Sequence, residues 1–107
     1  MGVRADQRQV RKLSAGKVVV VIPTFNEREN IGILIEKVQD VFVRGEIEGS
    51  ILVVDDNSPD GTAEVAGELA RKYGNIKILR RRGKLGLGSA YREGFRVALR
   101  TMGAGIL

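Results

Sequence analysis

The stretch Ile51-Leu-Val-Val-Asp-Asp-Asn-Ser-Pro-Asp-Gly61 decides the fold. Four apolar residues with no polar alternation run straight into two adjacent acids. Such a run reads as a strand covered on both faces, the situation found in parallel sheets. Ser58-Pro59 reads as a helix N-cap followed by proline at the first helical position, with Asp60 in the first turn beside the positive end of the helix dipole. The segment therefore predicts a strand that delivers two carboxylates at its carboxyl end and turns directly into a helix.

The same alternation continues on both sides. Val18–Ile22 is a β-branched run that predicts a second buried strand, ended by Pro23. Between Asn30 and Phe42, the residues Ile31, Leu34, Ile35, Val38 and Val41 recur at helical spacing, and Gly45 and Gly49 mark the following turn. Beyond Ser58, Thr62, Val65, Ala66, Leu69 and Tyr73 form one apolar stripe, with Gly74 suited to the C′ position. Ile76–Leu79 is the next strand. The loop Arg80–Gly88 precedes a helix carrying Ala90, Tyr91, Phe95, Ala98 and Met102. Gly103–Gly105 breaks that helix, and Ile106-Leu107 reads as the start of a fourth strand. The order predicts an α/β, doubly wound, mostly parallel sheet. Ligands of such sheets bind beyond the carboxyl ends of the strands, here Pro23–Glu29, Asp55–Gly61 and Arg80–Gly88.

A length of 107 residues, 43% hydrophobic and 29% charged, suits one globular domain. Residues 1–16 lack periodicity and read as a flexible basic leader, leaving 17–107 as the domain. The chain has neither His nor Cys. That excludes a Ser-His-Asp triad, a thiolate nucleophile, a zinc site built from His or Cys, and a disulfide. Carboxylates, Lys, Arg, hydroxyls and backbone groups remain, which favours hard-cation and phosphate chemistry. The net charge of +5 is unevenly placed. Residues 18–70 are strongly acidic, whereas 71–107 are basic with Glu93 as their one acid. This layout can set carboxylates and cations on opposite walls of one cleft. The longest early apolar run is too short for a signal peptide or a membrane span, so a cytoplasmic location is expected, with peripheral contact at the cytoplasmic face of a membrane.

Each loop has its own chemistry. Asp55 and Asp56 cannot both point into the sheet, and adjacent like charges need a cation, a donor-rich ligand or a helix terminus to meet them. One of them can cap the helix near Ser58. A carboxylate at a strand end can also accept paired hydrogen bonds from the Watson–Crick edge of guanine, or the N–H of uracil. Phe25 can offer an aromatic face to a base and Glu27 an acceptor to ribose hydroxyls, although core packing and first-turn acids explain them too. Gly83–Gly88 is glycine-rich but lacks the G-x-x-x-x-G-K-[ST] pattern, and Tyr91 stands where a dinucleotide fingerprint has Gly. Lys84 and Arg80-Arg81-Arg82 are suited to phosphates, to an anionic membrane surface, or simply to a solvated turn.

Three motifs in one order carry a resemblance: Val21-Ile-Pro-Thr-Phe-Asn-Glu-Arg-Glu-Asn30, Val53-Val-Asp-Asp-Asn-Ser-Pro-Asp-Gly-Thr62, and Lys84-Leu-Gly-Leu-Gly-Ser-Ala-Tyr91 with Gly94. From Lys17 to Leu107 the chain resembles the amino-terminal part of the dolichyl-phosphate mannose synthases, inverting enzymes of glycosyltransferase family 2 with the Rossmann-like GT-A fold. The resemblance implies that Pro23, Phe25, Glu27, Val54 and Asp56 hold the nucleotide of GDP-mannose. Asp55 would support Asp56, and Lys84 is a weaker candidate. Phe25 stands where the family commonly has Tyr. It also implies transfer of mannose to dolichyl or another polyprenyl phosphate, with Mg²⁺ or Mn²⁺ as cofactor. A phosphate acceptor, with a second pKa of about 6, is largely ionised near neutrality and needs no His base. The family's metal-binding Asp-x-Asp lies just past the fourth strand, and no Asp follows Asp60 here. The chain is thus expected to be a nucleotide-recognition half, truncated before the metal motif, with no catalytic or metal residue, and inactive alone.

Other readings make distinct demands. Transfer of another sugar, such as glucose, would use the same nucleotide loops. A response-regulator receiver domain shares the acid pair but needs a later phosphoacceptor Asp. A basic module for nucleic acid or membrane surfaces would rest on the leader and Arg71–Arg100. The acidic middle and scarce aromatics argue against nucleic acid as a partner.

Overall fold

The computed structural model describes residues 18–83 and 85–101. The leader, Lys84, Met102, the Gly103–Gly105 break and the strand expected at Ile106-Leu107 lie outside the described residues. Three parallel strands, β1 (Val18–Thr24), β2 (Gly49–Asp55) and β3 (Ile76–Arg80), lie in the order β1-β2-β3. Helices α1 (Arg28–Arg44), α2 (Thr62–Tyr73) and α3 (Leu87–Thr101) alternate with them.

Strand alternation explains why the strand sequences are apolar throughout. Ile22, Ile51, Val53 and Ile76 face Ile31, Ile35 and Phe42 of α1 and Ala66 of α2. The intervening Val19, Leu52 and Val54 face Ala90 and Ala98 of α3 on the other side. Helices thus cover both faces, and a polar residue on either face would be stranded. Ile35 and Ile51 are completely buried, each contributing about 1.5–3 kcal/mol of hydrophobic stabilisation. Gly94 lets α3 approach closely: a Cβ there would lie 2.5 Å from Val21 Cγ1 and 3.0 Å from Val54 Cγ2. At the amino end of the sheet, buried Gln39 and half-buried Asn75 pair through their amides, and Asn75 also donates to the Gly49 carbonyl.

Several sequence expectations are corrected. Pro23 does not end β1, which continues through Thr24. The Val18 N–H donates to Glu48 O and Thr24 O accepts from the Asp56 N–H, so the even-numbered residues bond towards β2. The nitrogen of Pro23 therefore faces away from β2, where its missing hydrogen is harmless to the ladder. Helix α2 does not start at Pro59. Its N-cap is Gly61, at φ +93°, and Asp60 accepts the Thr62 N–H at 3.0 Å. On the helices the apolar stripes are only partly used. Leu34 and Val41 of α1, and Tyr91 and Phe95 of α3, are exposed, the last two stacked with ring centroids 5.9 Å apart.

Candidate nucleotide site at the carboxyl end of the sheet

All three β-to-α loops meet at this edge, as the parallel topology requires. The loop after β1 and the loop after β2 are stitched together. The backbone N–H groups of Asn26, Glu27 and Arg28 donate to Ser58 Oγ, Thr62 Oγ1 and Asp60 Oδ2. Both loops reverse at an asparagine in the left-handed region, Asn26 at φ +55° and Asn57 at φ +59°. Asparagine tolerates that region better than most residues, so a modest strain is held there by the surrounding bonds. Asn57 Nδ2 donates to Arg82 O, tying in the third loop.

The adjacent acids separate because successive residues leave a strand on opposite faces. Asp55, fully buried, lies on the side of α1 and α2. It accepts hydrogen bonds from Thr24 Oγ1 at 2.7 Å, Ser58 Oγ at 2.6 Å and the Ser58 N–H at 2.9 Å. This bears on the displaced helix start: Ser58 Oγ, oriented by donating to Asp55, accepts the Asn26 N–H of the neighbouring loop instead of an N–H of α2. Asp56 lies on the α3 side and meets Arg81. Arg81 Nε donates to Asp56 Oδ1 at 2.5 Å, Nη2 donates to Oδ2 at 3.2 Å, and the Leu85 N–H reaches Oδ2 at 3.2 Å. Only 2% of the Arg81 side chain and 7% of the Asp56 side chain are exposed.

Arg81 is the member that sequence reasoning missed. In the run Arg80-Arg81-Arg82, suited by type to phosphates, an anionic membrane surface or a solvated turn, Arg81 is buried and paired. Its Nη1 donates to Ser89 Oγ and Glu93 Oε1, and Nη2 also reaches Gly86 O. A signal was present: Glu93 is the single acid among residues 71–107, and a lone acid in a basic segment is a natural partner for a buried cation.

Of the other candidates, Glu27 sits at the N-cap position of α1, its Oε2 accepting from Asn30 Nδ2. Pro23 pairs in register with Val54 at the strand ends, and half-buried Phe25 follows Thr24. The Val54 side chain is fully buried against α3, so only its backbone lies at the rim. Pro23, Phe25, Glu27, Val54, Asp55 and Asp56 are therefore gathered at the ends of β1 and β2, while Lys84 lies outside the described residues.

Charge pairing sets the ionisation of this edge. The hydrogen bonds from Arg81 hold the Asp56 carboxyl below the usual carboxylate range, with its positive charge and the Leu85 and Gly86 N–H groups adding to the effect against desolvation. Asp56 and Glu93 push Arg81 further up, so it stays charged. The Thr62 hydroxyl lowers Asp60 in the same direction. A depressed folded-state pKa gives stability that is complete above the unfolded value and lost as pH falls through the folded one. Urea midpoints are thus expected to be level from about pH 5 to about pH 8 and to drop below about pH 4. A midpoint that rises on acidification would contradict this.

These acids do not suit a divalent cation. Asp55 is occupied by Thr24 and Ser58, and Asp56 by Arg81 and Leu85. No three acidic side chains converge among the described residues. No helix among them is long and apolar enough to cross a membrane.

The glycosyl transferase family 2 model matches residues 19–100, most of the chain and all three loops. The chain belongs to glycosyl transferase family 2. Within the curated family, it is 46% identical over 82 residues to the dolichol-phosphate mannosyltransferase of Pyrococcus furiosus, covering 77% of this chain and 22% of that protein. It is 42% identical over 85 residues to the polyprenol monophosphomannose synthase of Mycolicibacterium smegmatis, covering 78% of this chain and 31% of that one. The chain thus spans between a fifth and a third of the length of these relatives. A mannosyltransferase from Pyrobaculum calidifontis, solved in complex with GDP-Man and Mn²⁺, superposes with a TM-score of 0.60 at 24% identity, covering 76% of this chain and 24% of that one. The fold is the α/β, Rossmann-like GT-A class expected from the sequence.

Proposed function

We propose that this chain supplies the nucleotide-recognition part of a mannosyltransferase that moves mannose from GDP-mannose to a polyprenyl phosphate with inversion. The observation that carries the reading is Asp56, a carboxylate kept ionised at the carboxyl end of β2 beside the Phe25–Glu27 loop. An ionised acceptor there suits the N–H donors of guanine. Phe25 offers a face for the base, Glu27 an acceptor for ribose hydroxyls, and Pro23 and Val54 the backbone floor between them. The names of the two curated relatives support mannose and a polyprenyl phosphate, and the solved neighbour supports GDP-Man with a divalent metal. The acceptor phosphate is largely ionised near neutral pH, which suits a chain without His. Metal ligation and acceptor binding are not assigned to the described residues.

Titration calorimetry tests the reading. GDP is expected to bind with a Kd in the micromolar to millimolar range, and UDP and CDP about tenfold more weakly or worse, since uracil offers one N–H and cytosine a different edge. A folded sample that binds no GDP, or binds all three alike, would remove the basis for it.

A further inference from the structure

The Arg81 guanidinium has five N–H donors, and every one is engaged: Nε with Asp56 Oδ1, Nη1 with Ser89 Oγ and Glu93 Oε1, Nη2 with Asp56 Oδ2 and Gly86 O. None is left for a phosphate or a base. The acceptors it has filled are equally informative. Arg81 reaches both oxygens of Asp56, Nε to Oδ1 and Nη2 to Oδ2, and the Leu85 N–H joins it on Oδ2. Both carboxylate oxygens are thus held by the one guanidinium fork, and the Gly86 N–H acts on the same group.

We propose that Arg81 is a positioning residue for base recognition: clamped to α3 by Ser89 and Glu93, it fixes the orientation of the Asp56 carboxylate that would receive the guanine N–H groups. The proposal rests on the nucleotide reading above and names a residue outside the loops of β1 and β2. The geometry depends on the planar fork of arginine. A lysine at this position keeps the charge but has three donors on one atom, so it cannot span both carboxylate oxygens and the α3 anchors together. Glu93 of α3 shares the same guanidinium, and Asp55 precedes Asp56 at the end of β2 with its carboxylate bonded to Thr24 and Ser58.

The test compares the full chain with Arg81→Lys and Glu93→Gln, using GDP as the probe. Calorimetry is run between about pH 5 and about pH 8, and the Asp56 carboxyl is followed by ¹³C NMR titration without nucleotide. Arg81→Lys is expected to bind GDP about tenfold more weakly, to lose part of its preference over UDP, and to titrate Asp56 at higher pH than the wild type. Glu93→Gln, altered at a side chain that is 44% exposed, is expected to fold normally. It should weaken GDP by about two- to threefold through a looser Arg81. If Arg81→Lys fails to fold, Glu93→Gln decides. Wild-type GDP binding together with unchanged affinity, selectivity and Asp56 titration in the folded variants overturns the proposal alone. Absence of GDP binding by the folded wild type overturns the nucleotide reading, and the proposal with it.

Discussion

Replacing Asp56 with alanine is expected to abolish detectable GDP binding and to remove about 3–5 kcal/mol of folding stability. Two losses coincide at this side chain. The base loses its ionised acceptor, and Arg81 is left buried without its principal partner. Arg81 cannot escape to solvent, because its side chain is 2% exposed and its remaining bonds to Ser89, Glu93 and Gly86 hold it in place. An unpaired buried cation is costly in a way that the pair, intact, is not strongly favourable. Domains of this size have about 5–15 kcal/mol in total, so the loss is a large share. Urea denaturation followed by circular dichroism measures it as a lower midpoint at an unchanged slope. A variant with the wild-type midpoint would mean that Arg81 finds another partner. Asp56→Asn separates the two effects. It keeps the volume and one acceptor, so stability should fall less, while the turned-out amide NH₂ should still oppose a guanine donor.

Gly94→Ala is expected to destabilise the chain by about 1–3 kcal/mol, although alanine is the better helix former by about 1 kcal/mol. The added methyl would lie 2.5 Å from Val21 Cγ1 and 3.0 Å from Val54 Cγ2. Both neighbours are β-branched residues on paired strands, with little rotameric freedom to retreat. The remaining way out is for α3 to lift from the sheet, which loosens Ala90 and Ala98 and carries Ser89 and Glu93 away from Arg81. Thermal melts should show a fall of roughly 4–8 °C per kcal/mol. A stabilised Gly94→Ala would show that α3 sits farther from the sheet than described.

Much of the frame was legible in the sequence because the signals are local. The β-branched run Val18–Ile22 and the run Ile51–Val54 have no polar face, and a strand without a polar face must be covered on both sides. The observed helices do that, α1 and α2 on one side and α3 on the other. Helix positions were legible from periodicity, but which apolar residues would be buried was not. Tyr91 and Phe95 share a stripe with Ala90 and Ala98, yet the sheet takes the small residues because Gly94 brings the helix axis too close for rings. The helix start after Ser58 was misplaced for a similar reason. Ser58 is a good cap by type, but its oxygen accepts the Asn26 N–H from a loop 32 residues away in sequence while its hydroxyl donates to Asp55.

The sequence by itself determined the α/β order, the loops that follow the strands, and an adjacent acid pair whose members must face different partners, because strand alternation and residue chemistry act over a few residues. Only the tertiary structure decided which acid serves which role, and that Arg81 rather than Arg80 or Arg82 meets Asp56. That pairing joins residues 25 apart in sequence. It depends on where the loop after β3 falls once α3 has crossed to the opposite face, and no local preference of Arg81 encodes that path.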